Sequence, residues 1–143
     1  MIDIGEKDVS RRTASARGSI ILSKKTIDAI KSGKIEKGDA LEVARVAAIG
    51  AVKLTPMIIP MCHPIPIDGV NVEFKMERDR VTVDVLVKST GRTGVEMEAI
   101  TAVSVALLTV WDMVKYLEKD AKGQYPKTRI AGIEVIKKEK ISI

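Results

Sequence analysis

Two segments in the middle of the chain alternate apolar and polar residues with a period of two. In residues 70–76, Val, Val, Phe and Met are separated by single polar residues, and in residues 81–87 four valines repeat the pattern. This alternation is typical of strands that bury one face. Because only a short polar stretch around Asp79 separates the two segments, the pattern predicts an antiparallel hairpin.

Two further segments follow the period of an α-helix. Ile27 and Ile30 share one face of a short helix, with Ser23 in position to cap its start and Gly33 to end it. Residues 95–119 form a much longer helix whose middle is apolar all round. A helix of that kind is covered on most sides, so we expect it in the core.

Between them lies a second helix, followed by a proline-rich segment. Asp39 precedes Glu42 by three residues, which is capping-box spacing, and an apolar stripe continues as far as Lys53. Pro56 is the expected boundary. Four of the five prolines fall in residues 56–67, which are otherwise apolar, and this predicts a buried, rigid loop that positions side chains.

The two ends of the chain complete the pattern. Residues 18–22 and 128–136 read as strands, and a basic tail follows at 137–140. Residues 1–16 are small and polar with no sustained period, which predicts an extended N-terminal arm. Such an arm must lie on something to be ordered.

The order of elements is strand, two helices, strand, strand, helix, strand. This matches a βαββαβ unit with an extra helix in the first crossover, so we expect one domain over 1–143, a ferredoxin-like α+β sandwich on an antiparallel sheet. One sheet face would be covered by helices. A largely apolar open face would need another subunit, and we therefore expect a homo-oligomer.

Composition narrows the class of protein. The 143 residues are 45% hydrophobic and 30% charged, which excludes a disordered tail or a fibrous repeat. A single cysteine forms no internal disulfide and the start shows no signal segment, so we expect a cytoplasmic protein. The longest apolar run, 99–111, is too short to span a bilayer, so no membrane partner is expected.

The net charge of +5 favours anionic partners, although abundant Lys and Glu is also a composition of heat-adapted proteins. Aromatic residues make up only 3% of the chain, too few for the stacking surfaces of common RNA and single-strand binders. A small polyanion is therefore the favoured partner, and nucleic acid is not expected.

Cys62 and the only histidine, His63, lie together between prolines. One thiolate and one imidazole adjacent in sequence do not supply the spaced ligands of a zinc site, so no metal site is predicted. The remaining interpretations of His63 are a hydrogen bond to a nearby carbonyl or a role in binding and acid–base chemistry.

The glycine-rich residues 90–94 open the long helix, where free amides, the helix dipole and Arg92 could bind an anion. Glu96 follows Thr93 in capping-box spacing, so its role could be structural instead. Glu98 precedes Asp112 by 14 residues, close to four helical turns, which predicts two carboxylates along one groove.

Asp112 precedes Lys115 by three residues on this helix, a spacing at which side chains meet. The simplest interpretation is a surface ion pair of little energetic weight. The functional alternative is a partly desolvated pair that shift each other's pKa and act as acid and base.

Three segments together carry a family resemblance. They are Met61-Cys-His-Pro-Ile-Pro66, Thr90-Gly-Arg-Thr-Gly-Val-Glu-Met-Glu-Ala99 and Trp111-Asp-Met-Val-Lys115. In this order and spacing the chain resembles the molybdenum cofactor biosynthesis protein C family, also called cyclic pyranopterin monophosphate synthase. The resemblance extends from Met1 to about Asp120.

The resemblance implies a homohexamer, a trimer of dimers, with active sites at subunit interfaces. Its implied substrate is 3',8-cyclo-7,8-dihydroguanosine 5'-triphosphate, which becomes cyclic pyranopterin monophosphate and diphosphate. No cofactor is required, Mg²⁺ with the triphosphate is left open, and an upstream radical-SAM enzyme supplies the substrate.

Carried over by motif, Asp112 is the catalytic acid–base residue and Lys115 its partner. The implied substrate contacts are Met61, Cys62, His63, Glu96, Met97 and Glu98, and the implied triphosphate ligands are Arg12, Lys37 and Lys53. Many family members end in a Gly-rich loop with lysines, whereas this chain has residues 133–141 without glycine. Either Lys137, Lys138 or Lys140 substitutes, or the phosphate site is built without them, or the tail is merely solvated.

Two other classes compete with an enzyme on this fold. A nucleic-acid-binding module would need exposed aromatic residues on the central strands, and Phe74 is the one aromatic there. A non-catalytic oligomeric domain could use the same anion-binding loop and would bind a nucleotide without turning it over.

Overall fold

The computed structural model describes all residues from 1 to 143 as four strands and three helices. In chain order these are β1 Ser10–Ile21, α1 Lys24–Lys31, α2 Ala40–Ile58, β2 Gly69–Met76, β3 Arg80–Gly91, α3 Glu96–Glu118 and β4 Arg129–Ser142. The side chains of Ser23 and Asp39 accept hydrogen bonds from the first turns of α1 and α2, as the sequence predicts.

All four strands form one antiparallel sheet in the order β2-β3-β1-β4. The hairpin β2–β3 is confirmed, and β1 and β4 lie beside it because each crossover carries helices over the same face. This topology confirms the ferredoxin-like α+β fold. The core lies between this face and helices α2 and α3.

The core face of β1 is built from small residues, and this lets α3 approach closely. Ala14, Ala16 and Gly18 are buried opposite valines of β3. A β-carbon on Gly18 would lie 2.8 Å from Val103 Cγ1, a distance that real contacts do not reach. The glycine is therefore required where the helix crosses the strand.

The opposite face of the sheet is polar, contrary to the expectation of an apolar surface. Arg17 Nε lies 2.8 Å from Asp84 Oδ1 and Ser19 Oγ 2.7 Å from Thr82 Oγ1 on this face. The prediction of an apolar open sheet face, from which we expected a homo-oligomer, is therefore wrong. Exposed apolar side chains lie instead on the outer surface of α2, at Val46 and Met57, and on β4.

Three element boundaries differ from the sequence prediction. Residues 10–16 of the predicted arm belong to β1. Residues 137–140, the predicted basic tail, belong to β4, which continues to Ser142, and they pair with β1. Helix α2 continues past Pro56 to Ile58, and the amide of Ile59 still bonds to Thr55. Proline keeps a helical φ and removes only one amide donor, so it bounds the helix less sharply than expected.

A buried carboxylate joins the end of α3 to two other elements. Glu118 is 8% exposed and accepts hydrogen bonds from the backbone and hydroxyl of Ser23 and from the hydroxyls of Thr26 and Thr128. Burial opposes its ionisation, but these donors outweigh burial and lower the pKa of Glu118.

Helix α3 is long and apolar enough, with a mean hydropathy of 1.6, to cross a membrane by length and composition alone. It lies instead against β1, β3 and α2, with Leu107 and Val110 fully buried. This is the position of a core helix, as the apolar pattern predicts.

Candidate functional site

A cavity of about 630 Å³ opens where three parts of the chain meet. The proline-rich loop after α2 contributes Met61, Cys62 and His63, and the start of α3 contributes Glu96, Met97 and Glu98. The third wall is residues 1–9, which we call the N-terminal strap. Six of the predicted substrate-contacting residues therefore line one cavity.

The proline-rich loop is fixed at both ends, but none of residues 56–67 is fully buried, so the prediction of a buried loop is wrong. The amide of Cys62 donates to the carbonyl of Ile59, and the carbonyl of Pro66 accepts from the hydroxyl of Ser89 at 2.5 Å. The His63 ring nitrogen Nε2 lies 2.6 Å from the carbonyl oxygen of Ile2 in the strap. His63 was predicted either to bond to a nearby carbonyl or to act in binding and acid–base chemistry. In the single chain the first of these is observed.

Glu98 is the most deeply buried acid in this cavity, with 3% of its surface exposed. Its Oε2 has no hydrogen-bond partner. Burial, together with the charge of Glu96, raises the pKa of Glu98 above its ordinary value. An unpartnered acceptor in an apolar cavity favours a ligand that brings N–H donors to it.

Glu96, two residues earlier, has a different environment. Its carboxylate lies 2.6 Å from Lys138 Nζ on β4. Burial opposes ionisation, but the bond from Lys138 and a bond to its own backbone lower the pKa of Glu96. The predicted capping box is wrong, because α3 is capped at Val95 without any side-chain bond.

The glycine-rich loop does not gather its charges at the start of α3 as predicted. A β-carbon on Gly94 would lie 2.8 Å from the carboxyl carbon of Glu96, so the glycine makes room for that side chain. Arg92 Nε instead donates to the carbonyl of Lys7 at 3.1 Å. The start of α3 therefore lies beside the carboxylate of Glu96, and the Arg92 guanidinium is bonded to the strap.

A second depression adjoins the cavity on the far side of Glu96. It has no apolar lining and contains three cations, Arg12, Lys138 and Lys140, and two carboxylates, Glu96 and Glu139. Arg12 faces Lys140 across the β1–β4 pairing, and its Nε donates to the carbonyl of Gly91. The C-terminal lysines are thus part of the sheet, and two of them lie beside Arg12.

Asp112 and Lys115 lie on α3, far from this cavity. Lys37, from the segment before α2, lies beside them. Lys115 Nζ is 3.1 Å from Asp112 Oδ1, and Lys37 Nζ is 3.1 Å from Asp112 Oδ2. Bonds from Lys115 and Lys37 lower the pKa of Asp112. The Asp112 side chain is 59% exposed, so the predicted partial desolvation is wrong for the single chain.

Trp111 lies beside this cluster and packs edge-on against Tyr125, with ring centroids 5.2 Å apart. With Leu108, it lines a shallow depression that also contains Asp112 and Lys115.

The cluster and the cavity are at opposite ends of α3. The 14 residues between Glu98 and Asp112 correspond to about 21 Å of helix, and Glu98 is buried whereas Asp112 is exposed. The predicted common groove is therefore wrong within one chain. Lys53, on the exposed side of α2, lines neither the cavity nor the depression.

Sequence reasoning missed the strap as part of the cavity. Met1, Ile2, Ile4 and Lys7 line it. The sequence indicated only that an ordered N-terminal arm must pack against another part of the protein. It did not identify which part.

The structure also bears on the competing class of nucleic-acid binder. Phe74 is half-buried, and the Arg45 guanidinium lies 5.4 Å from its ring centre, so the ring is not a free stacking surface. No group of three or more His, Cys, Asp or Glu side chains is close enough to hold a metal ion.

The fold and the site define a ferredoxin-like α+β protein with a ligand cavity that contains two glutamates among apolar side chains, and with a separate carboxylate–lysine cluster. A sequence model of the MoaC family matches residues 1–140, and the chain belongs to this family.

Curated relatives agree over the full length. The chain is 59% identical to a probable cyclic pyranopterin monophosphate synthase accessory protein of Methanothermobacter thermautotrophicus, covering 100% of this chain and 90% of the relative. It is 58% identical to a probable cyclic pyranopterin monophosphate synthase of Methanococcoides burtonii, with the same coverage. A protein of that same name from Thermoplasma acidophilum is 52% identical, with both chains covered completely.

Proposed function

We propose that this chain is a cyclic pyranopterin monophosphate synthase, a lyase of molybdenum cofactor biosynthesis. It converts 3',8-cyclo-7,8-dihydroguanosine 5'-triphosphate to cyclic pyranopterin monophosphate and diphosphate. The observation that carries the proposal is full-length similarity to proteins of that name, combined with one cavity lined by six residues of the family motifs.

The cavity suits the heterocycle of this substrate. Met61 and Met97 supply apolar contact, and the unpartnered oxygen of Glu98 accepts hydrogen bonds from ring and amino N–H groups. Cys62 and His63 lie on the rigid loop opposite and contact the same part of the substrate.

The neighbouring basic depression suits the phosphates. Arg12 with Lys138 and Lys140 presents three cations beside Glu96, which lines both spaces. We assign Lys138 and Lys140 as substitutes for the lysines of the Gly-rich loop that this chain lacks. Lys37 and Lys53, the other two proposed phosphate ligands, lie outside this depression and approach from another copy of the chain.

Asp112 and Lys115 are the proposed catalytic pair. Bonds from Lys115 and Lys37 stabilise the ionised form of Asp112, which is the form that accepts a proton, and Lys115 lies within hydrogen-bond reach to return one. Together they relay protons during ring opening and pterin closure, and the cations stabilise the leaving diphosphate.

In a single chain, the cavity and the Asp112 cluster cannot both contact one small molecule, because about 21 Å of helix separates them. We therefore propose a homohexamer, a trimer of dimers, in which the cavity of one copy meets the Asp112 cluster of another. The exposed apolar side chains of α2 and β4 provide surface for such contacts.

The proposed reaction requires no cofactor, and Mg²⁺ enters only with the triphosphate. The enzyme acts in the cytoplasm on the product of an upstream radical-SAM enzyme. Dialysis against EDTA should leave the rate unchanged once Mg²⁺ is returned with the substrate, whereas a lasting loss would indicate a resident metal.

The experiment that tests the function is diphosphate release from freshly made cyclic nucleotide. The chain should release diphosphate, and Asp112→Asn should be slower by about a hundredfold or more. Asp84→Asn, the same change at an exposed ion pair on the open sheet face, is the control and should leave the rate unchanged. If neither the chain nor its variants release diphosphate although folded, the non-catalytic binding domain is the better interpretation.

A further inference from the structure

The N-terminal strap is held against the cavity by two hydrogen bonds, one near each end. His63 Nε2 bonds to the carbonyl of Ile2, and Arg92 Nε bonds to the carbonyl of Lys7. Both anchors are side chains from distant parts of the sequence, and both contact the strap backbone. The position of the strap is therefore set by the fold rather than by its own side chains.

Closure of the strap and ligand contact through His63 compete for the same atom. His63 lines the cavity, and its Nε2 is engaged with the carbonyl of Ile2. A ligand that hydrogen-bonds to this nitrogen exchanges places with the Ile2 carbonyl, which frees the first residues of the strap. The Arg92 bond to Lys7 does not involve His63, so the strap remains attached at its second anchor.

Charge in the cavity gives the strap a further role. Among the residues that line the cavity, Lys7 is the only Lys or Arg, whereas Glu96 and Glu98 are both acidic. An anionic ligand entering this cavity meets its one compensating cation on the strap. Arg12, Lys138 and Lys140, the proposed phosphate ligands, line the neighbouring depression and not the cavity itself.

We propose that the strap is a movable wall of the site, in which Lys7 adds a cation to those of the neighbouring depression for the anionic part of the ligand that reaches into the cavity, and Arg92 holds the strap in place. Arg92 is then a positioning residue and His63 the latch that ligand binding releases. The inference rests on the proposed function only for the identity of the ligand.

The first experiment measures access to the cavity without any turnover. Cys62 is the only cysteine and lines the cavity, so its alkylation by iodoacetamide reports how open the strap is. Burial raises the pKa of this thiol, so the rate is measured at mildly alkaline pH.

Arg92→Gln should raise the alkylation rate about fivefold, the effect of losing one hydrogen bond, and Arg92→Lys should restore a slow rate. Arg78→Gln, the same change at an exposed arginine on the β2–β3 turn, should have no effect. Deletion of residues 2–6 should raise the rate at least as far as Arg92→Gln. Wild-type alkylation rates in both Arg92→Gln and the deletion would overturn the proposal.

The second experiment separates binding from chemistry. Lys7→Gln should raise KM for diphosphate release about tenfold and leave kcat unchanged, since it removes a contact made equally to substrate and transition state. Lys24→Gln, at an exposed lysine of α1, is the control. An unchanged KM would remove Lys7 from the site.

The two proposals fail in different ways. If the chain releases no diphosphate but Arg92→Gln still exposes Cys62, the movable strap stands and the proposed reaction is wrong. If diphosphate is released but Cys62 reacts equally in every variant, the reaction stands and the strap is a fixed part of the fold.

Discussion

Two carboxylates on one helical turn differ in protonation behaviour because of what lies next to each. The pKa of Glu96 is lowered by Lys138, whereas the pKa of Glu98 is raised by burial. Pairs of acids whose pKa values are pushed in opposite directions are typical of active sites. Here Glu96 lines both the cavity and the basic depression, whereas Glu98 lines the cavity alone.

The third carboxylate to which we assign a role, Asp112, is exposed and owes its lowered pKa to two lysines. Lys37→Met removes one of these causes, so the pKa of Asp112 should rise toward its ordinary value of about 3.9. The measurement is an NMR titration of the Asp112 carboxyl carbon. Lys34→Met, at a nearby exposed lysine, is the control, and an unchanged titration in Lys37→Met would show that Lys115 alone causes the shift.

At the scale of elements, Glu118 connects the end of α3 with the start of α1 and the strand that follows. Glu118→Gln loses charge-assisted hydrogen bonds and should lower the free energy of unfolding by about 2 kcal/mol at pH 7. Because the folded-state pKa is lowered, this stability is present above about pH 4.3 and is lost as pH falls through the folded pKa.

Urea denaturation of both proteins at pH 7 and in acid measures this difference, which should shrink in acid. Glu36→Gln, at an exposed acid, should match the wild type at both pH values. A difference that stays constant with pH would show that Glu118 acts through packing rather than through its charge.

The elements with strong periodicity were predictable from the sequence. Alternating valines specify the hairpin, and the apolar length of α3 specifies a core helix, because burial of one face dominates their energetics. β1 begins earlier than predicted because its inner face is made of Ala and Ser, which give little apolar contrast. The end of β4 is exposed on both faces and is held by backbone pairing with β1, which no side-chain pattern reveals.

The candidate site was predictable where it is local in sequence. Met61 to His63 and Glu96 to Glu98 were identified as motifs, and the fold brings these two motifs together. The contact of Lys37 with Asp112 spans 75 positions and depends on how the segment before α2 lies against α3. The strap was missed because it is anchored through its backbone carbonyls, by His63 and Arg92, and backbone carbonyls are the same in any sequence.

At the scale of the whole molecule, the proposal of a shared active site makes a prediction that a single-chain site does not. Asp112→Asn and His63→Ala should each be inactive alone. Refolding the two together should restore about a quarter of wild-type activity, since random assembly pairs an intact cavity with an intact cluster in about one site in four. Diphosphate release measures the recovery.

The control is each variant refolded by itself, which should stay inactive. If the mixture were as inactive as its components, cavity and cluster would have to act within one chain. The 21 Å or so of helix between them would then require a large rearrangement of α3.

The single tryptophan has a consequence for spectroscopy. Trp111 precedes Asp112 and packs against Tyr125, which lies on the connection from α3 to β4. All indole emission therefore comes from one position, and energy absorbed by Tyr125 passes to it over a short distance. A change in emission on adding nucleotide would report events at the Asp112 end of α3. Events at the cavity around Cys62 would not change this emission directly and would need a fluorescent label on Cys62.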